Sequence, residues 1–187
     1  MVFIRLVPHD VSYAEEISKL TSVPDVRNAL GMTDVQCSVP GTRDFIRLMQ
    51  LEEKLGQHFS RVILDESNEL IGVISLKNID EKQKICHIGT WLGRQYWGKG
   101  YNEIAKTEIL KVAFEGFQLN YVFAGARLEN TRSQKAQAKL PYITLNVEQQ
   151  FQYEWKKLEW LEQAPCLLNM VRKEDFLNWY YQDIAVS

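Results

Sequence analysis

Apolar positions along this chain recur with two periods, one of two residues and one near 3.6, and the switches between them mark the elements. Phe3-Ile4-Arg5-Leu6-Val7 alternates loosely until Pro8-His9-Asp10 interrupts it, which predicts a first strand and then a helix from about Asp10, its N-cap, to Leu20. Pro24 in a first turn and Gly31 past an end frame a second short helix. Thr42 or Asp44 opens a third, running to about Leu55 with Phe45, Leu48, Met49 and Leu55 on one face. Two β-branched runs, Phe59 to Leu64 and Leu70 to Leu76, flank the turn Asp65-Glu66-Ser67-Asn68 and predict a hairpin; Lys84 to Leu92 adds a third strand to the meander. Helical spacing then holds from Glu103 through Phe114 until Gly116, and a strand follows at Tyr121 to Ala126. Asn130 caps a helix that reaches Leu140 before Pro141, after which Tyr142 to Val147 and Cys166 to Val171 read as strands and Asp175 to Ile184 as a closing helix. The order is that of an α+β fold with a mixed sheet. No repeat, low-complexity segment or Gly/Ser linker breaks the 187 residues, so a single domain, 1–187, is expected.

Composition narrows the function classes. Hydrophobic residues at 45% and charged ones at 25% suit a globular core. A net charge of −2 gives no general field to attract nucleic acid or an anionic membrane, so neither is expected as a partner and any polyanionic ligand must be gripped locally. Cys37, Cys86 and Cys166 have neither the spacing of a zinc or redox site nor the even count of a disulfide framework, which points to a reducing, cytoplasmic setting. Arg5, Pro8 and Asp10 interrupt the N-terminal apolar stretch, and no uncharged run reaches the length a bilayer needs, so neither an export signal nor a membrane span is expected.

The local grip is visible between the third meander strand and the helix after it. In Trp91-Leu92-Gly93-Arg94-Gln95-Tyr96-Trp97-Gly98-Lys99-Gly100-Tyr101, two glycines allow a tight turn, and the helix that follows offers unpaired N–H groups and the positive end of its dipole. Backbone arranged this way can hold a pyrophosphate without side-chain charge; a ligand-free glycine turn is the plainer reading. A Walker A loop is excluded because Gly98-Lys99 is followed by Gly100 where Ser or Thr is required, and a dinucleotide fingerprint lacks its third glycine.

Ile88-Gly89-Thr90-Trp91-Leu92-Gly93 with Gln95-Tyr96-Trp97-Gly98-Lys99-Gly100-Tyr101 resembles the acetyl-CoA site of the GNAT superfamily of N-acetyltransferases, its RimJ/RimL-like branch in particular. Downstream, Glu129-Asn130-Thr131-Arg132-Ser133 through Lys139-Leu140-Pro141-Tyr142 resembles that branch's Asn-x-x-Ser motif and the helix ending in Lys-x-Gly-Phe, with Pro-Tyr in place of Gly-Phe. The resemblance covers roughly residues 2 to 175 and implies a GNAT-like α+β fold, with a mixed, mostly antiparallel central sheet and helices on both faces. It implies acetyl-CoA as cosubstrate. Pantetheine would lie along the strand before the cradle, supported by Gly89 to Leu92 with Trp91 and Leu92 among the contacts. Main-chain groups of Gln95, Tyr96, Trp97, Gly98, Lys99 and Gly100 would take the pyrophosphate, and Asn130 with Ser133 the pantetheine arm. Lys99 is either an added charge for that phosphate or a solvated turn lysine.

Acyl transfer to an amine needs a base, an oxyanion donor and a proton for the departing thiolate. Where the family often has glutamate, two residues before the strand glycine, this chain has His87, whose imidazole could accept the proton; the alternative is a half-buried strand residue. A backbone N–H of the same strand would meet the oxyanion. The position where many relatives carry a proton-donating tyrosine is Gln137, so Ser133 becomes the candidate to contact the thiol. His9 and His58 have no motif context. In the segment from Glu148 to Pro165, Phe151, Trp155, Leu158 and Trp160-Leu161 form one helix face, expected to pack on the sheet or on a second copy in a homodimer, the alternative being a lid over the acceptor. The function expected is transfer of acetyl by direct attack to a primary amine of a small molecule, a peptide N-terminus or a lysine. The alternative is a non-catalytic acyl-CoA-binding protein of the same fold.

Overall fold

The computed structural model describes residues 3–186. Its elements follow in the order β1 (Ile4–Pro8), α1 (Ala14–Thr21), α2 (Pro24–Leu30), α3 (Asp34–Cys37), α4 (Val39–Lys54), β2 (Phe59–Asp65), β3 (Leu70–Asp80), β4 (Ile85–Leu92), α5 (Tyr101–Lys111), β5 (Tyr121–Arg127), α6 (Thr131–Ala138), β6 (Ile143–Thr144), α7 (Gln152–Glu162), β7 (Cys166–Arg172) and α8 (Lys173–Val186). The chain divides into two compact units, Met1–Ile79 with Gly89–Ile109, and Asp80–Ile88 with Leu110–Ser187, so that β4 begins in the second and ends in the first.

In the first unit the strand order is β1-β2-β3-β4. The meander is antiparallel where β1 meets β2 and β2 meets β3, with a register shift at Ile63/Leu64. Helices α1 and α4 cover one face: Ala14, Ile17, Leu20 and Ile46 close on Val62, Leu64, Leu70 and Val73, with Trp91 and Tyr96 at the margin. The alternate residues Ile63, Ile71 and Ile74 are buried too, so the central strands are covered on both sides and their apolar runs are nearly continuous. Gly72 permits the close packing of this sheet, since a Cβ there would stand 2.2 Å from the Trp91 carbonyl oxygen.

In the second unit the order is β4-β5-β7-β6. β5 runs antiparallel to β7, and β7 to β6, while β4 and β5 are parallel from Ile85↔Tyr121 to Ile88↔Ala124; that register stops there although both strands continue. Helix α7 packs Phe151, Trp155 and Leu158 onto Ile85, Phe123, Leu168 and Met170, as expected of that face. Its continuation does not, and Trp160 and Leu161 are exposed.

Four boundaries differ from the sequence reading. Asp10 caps a single 3-10 turn over Val11–Tyr13 and α1 begins after it. α4 starts at Val39, capped by Ser38, and the capping box Thr33/Gln36 creates the additional short α3. α5 widens into a π turn over Val112–Gly116 before Gly116 ends it. The strand expected from Tyr142 to Val147 shrinks to two residues: Asn146 takes a left-handed conformation (φ 57°) and its N–H donates to Asn169 Oδ1 instead of continuing a ladder.

Candidate functional site

The cradle lies wholly in the first unit. β4 ends at Leu92, Arg94–Tyr96 make one 3-10 turn, and α5 begins at Tyr101. Gly98 and Gly100 have φ of 74° and 86°, the left-handed region that glycine enters without steric cost, and a Cβ at either would meet nothing within 4 Å. The turn is therefore left-handed by need and open to a ligand. The first helical hydrogen bonds reach back from Glu103 and Ile104 to the Gly100 carbonyl, which leaves the N–H groups ahead of them without intrahelical acceptors.

The aromatic residues of this stretch brace the turn. Trp97 Nε1 donates to the Leu92 carbonyl at 2.8 Å, closing the loop on the end of β4. The Arg94 guanidinium lies 4.8 Å from the Trp97 ring and donates to Asp25 of α2 at 2.7 Å. Tyr96 and Tyr101 meet edge to face, and their hydroxyls point to Glu69 and Glu66 of the β2–β3 turn at 3.4 Å each. Burial and these carboxylates raise both phenols above their usual range. Lys99 Nζ stands 5.9 Å from the Tyr96 ring centroid.

The second unit holds the other predicted residues. His87 Nε2 lies 2.7 Å from Glu154 Oε2, both side chains at most 10% exposed, and its ring packs 5.3 Å from Phe123. The His87 hydrogen bond holds the Glu154 carboxyl below the usual carboxylate range against the opposing effect of burial, with Lys157 4.0 Å away adding to it. Helical spacing puts Glu154 beside Trp155 but reads it as a polar-face residue; only the fold reveals that it turns inward.

Asn130 and Ser133 meet as the motif requires, but in a capping role: Asn130 Oδ1 accepts from the Ser133 N–H at 3.0 Å. Gln137 is 3% exposed and fully engaged, donating to the Gly125 carbonyl and to Ser133 Oγ and accepting from Asn169 Nδ2 at 2.7 Å. It bolts α6 to β5 and β7, and it has no proton to give. Cys86 and Cys166 are buried, with thiols pushed up by burial, Cys166 to about 11, so neither is a nucleophile.

His9 and His58 gain contexts no motif announced. His9 Nε2 pairs with Ser60 Oγ at 2.8 Å, and Ser60 with Ser75 at 2.7 Å, a buried polar chain under α4. His58 Nδ1 stands 2.7 Å from Glu52 Oε2. Among the described residues no group of His, Cys, Asp and Glu could hold a metal, and no helix is long and apolar enough to cross a membrane.

Comparison with known proteins gives the family and the fold. A family model described as an acetyltransferase (GNAT) domain matches residues 4–142. The chain is 32% identical over 124 residues to the Uncharacterized N-acetyltransferase p20 of Bacillus licheniformis, spanning 65% of this chain and 68% of that protein. Microcin C7 self immunity acetyltransferase MccE, solved in complex with acetyl-CoA and AMP, aligns at a TM-score of 0.72 with 20% identity over 90% of each chain. Mycobacterium smegmatis RimJ in complex with CoA-disulfide aligns at 0.71 with 19% identity, covering 93% of this chain and 83% of that one. At such identities the structural likeness is one of fold.

Proposed function

The chain belongs to the GNAT family of acetyltransferases, acyltransferases that draw on acetyl-CoA, and on that premise we propose that it moves an acetyl group by direct attack to a primary amine of a small molecule, a peptide N-terminus or a lysine. The observation that carries the reading is the open left-handed turn at Gly98 and Gly100, set between the end of β4 and the start of α5. A chain with net charge −2 can hold a pyrophosphate there through backbone N–H groups and the helix dipole. In the first unit the main chain from Gln95 to Gly100 is the proposed pyrophosphate grip and Gly89 to Leu92 the proposed support for pantetheine; in the second, Asn130 and Ser133 are the residues proposed from the motif for the pantetheine arm.

For the chemistry, His87 is the proposed base. With Glu154 Oε2 2.7 Å from Nε2, the tautomer in which Nε2–H donates to that carboxylate puts the ring's lone pair on Nδ1, and the contact holds the imidazole in one orientation. A lysine amine with a pKa near 10.4, or an α-amine near 8, is mostly protonated at neutral pH, so a fixed proton acceptor has work to do before attack. Ser133 is the group proposed to contact the thiol, since Gln137 cannot donate a proton to it.

Acetyl-CoA at millimolar concentration is expected to raise the melting temperature, and a thiol-trapping dye to report CoA release when amines such as spermidine or N-terminal peptides are supplied. At Gly98 a Cβ meets nothing within 4 Å and the left-handed backbone costs a side chain roughly 1–2 kcal/mol, so Gly98→Trp should fold and lose the thermal shift. Unchanged binding in that variant would remove the cradle assignment.

A further inference from the structure

A lysine stands at the place where an acceptor amine is needed. Gly89 is the strand glycine of β4, and Lys77 of β3 lies across it: a Cβ built on Gly89 would sit 2.8 Å from both Cε and Nζ of Lys77. The amine thus occupies the space that the absent side chain leaves, while the residue as a whole remains exposed. The β2–β3 register begins at Phe59↔Leu76, and the Gln57 carbonyl accepts from the Ile79 N–H, which sets His58 across from Lys77. His58 Nδ1 in turn lies 2.7 Å from Glu52 Oε2 of α4, an ion-pair distance at which Nδ1 makes no hydrogen bond. Lys77, His58 and Glu52 are thus neighbours beside β4, close enough for the Lys77 charge to act on the imidazole. All of them belong to the first unit, together with the cradle and Gly89–Leu92.

We propose that Lys77 is itself an acyl acceptor, taking the acetyl group from acetyl-CoA with His58 as the base. This rests on the reading of Gly89 to Leu92 and the cradle as the acetyl-CoA site. His58 removes one proton from the Lys77 ammonium, and the freed Nζ lone pair attacks the thioester carbonyl carbon. An N–C bond forms, the C–S bond breaks, and the second proton leaves with the CoA thiolate as free thiol; the third stays on the amide nitrogen. The net change is one ammonium and one thioester converted to one amide, one thiol and one proton passed through His58 to solvent. Burial, with the Lys77 charge adding to it and Glu52 opposing, lowers the His58 pKa, which keeps the ring neutral and able to accept at pH 7.

The test needs no knowledge of the external acceptor. The purified chain is incubated with isotope-labelled acetyl-CoA, followed by intact mass and peptide mapping. A gain of one labelled acetyl group confined to the peptide carrying Lys77 is expected, absent from Lys77→Arg and slowed about 10²-fold in His58→Gln. Acetyl phosphate, a donor without the CoA handle, should label exposed lysines indiscriminately and equally in wild type and His58→Gln. A wild-type chain stabilised by acetyl-CoA yet unlabelled at Lys77 overturns the inference and leaves the cradle reading standing. Labelling of Lys77 at the same rate in His58→Gln removes the base role. A chain that acetyl-CoA does not stabilise overturns the donor reading, and the inference with it.

Discussion

His87 and Glu154 show how a single side chain acquires chemistry from its partner. An isolated imidazole on a strand can carry its proton on either nitrogen, whereas a buried carboxylate 2.7 Å from Nε2 favours the form in which Nε2 donates. The sequence supplied half of this: His87 was legible from its place two residues before Gly89, and Glu154 was not, because it lies 67 positions away on a helix whose outward face is also acidic. If His87 is the base, His87→Ala should lower kcat/KM on the order of 10²-fold; a loss under about threefold would retire the role. Gln137 teaches the converse. The motif position marked it as a missing proton donor, and the structure gives it a different occupation, two hydrogen bonds that join α6 to β5 and β7 and a third to Ser133 within α6.

Helix α5 carries two demands at once. Its N-terminus must remain open for the cradle, and its body must be buried, as Ala105 and Ile109 are. Lys106 sits between them and is only 7% exposed, and burial pushes its amine down to about 8. The ordinary value is 10.5, so the folded state disfavours the charged form: the cost is absent above about pH 10.5, grows as the pH falls, and is complete below about 8. At pH 7, Lys106→Met should therefore stabilise the protein by about 1–3 kcal/mol and raise the melting temperature by several degrees. The advantage should fade near pH 10, and a variant equally stable or less stable than wild type at pH 7 would contradict this account. α7 illustrates the limit of periodicity for an element. Phe151, Trp155 and Leu158 fall on the sheet as their spacing requires, but Trp160 and Leu161, written in the same pattern, remain exposed.

For the molecule as a whole, acid sensitivity is built into the first unit by His9. Burial, with the nearby Arg61 charge adding to it, lowers its pKa to about 4, and Ser60 satisfies its Nε2. A histidine depressed in this way contributes stability fully present above its unfolded value near 6.5 and lost as the pH falls through about 4. Urea midpoints should fall between pH 7 and pH 4.5, and His9→Gln, which cannot be protonated there, should lose less over that interval; equal losses would place the sensitivity elsewhere. The apolar runs of strands β1 to β4, the helix start after Gly100, the cap at Asn130 and the match to a known acyltransferase pattern were all readable from the chain alone, because each depends on residues within a few positions of one another. Short-range patterns fix periodicity, turn conformation and helix ends. What the sequence left open depended on distant residues meeting: the Glu154 carboxylate at His87, the Gln137 bolt, the truncation of β6 by Asn146, and the alignment of Glu52, His58 and Lys77 beside Gly89. Those pairings are set by strand register and helix packing, which no local pattern records, and only the tertiary structure decided them.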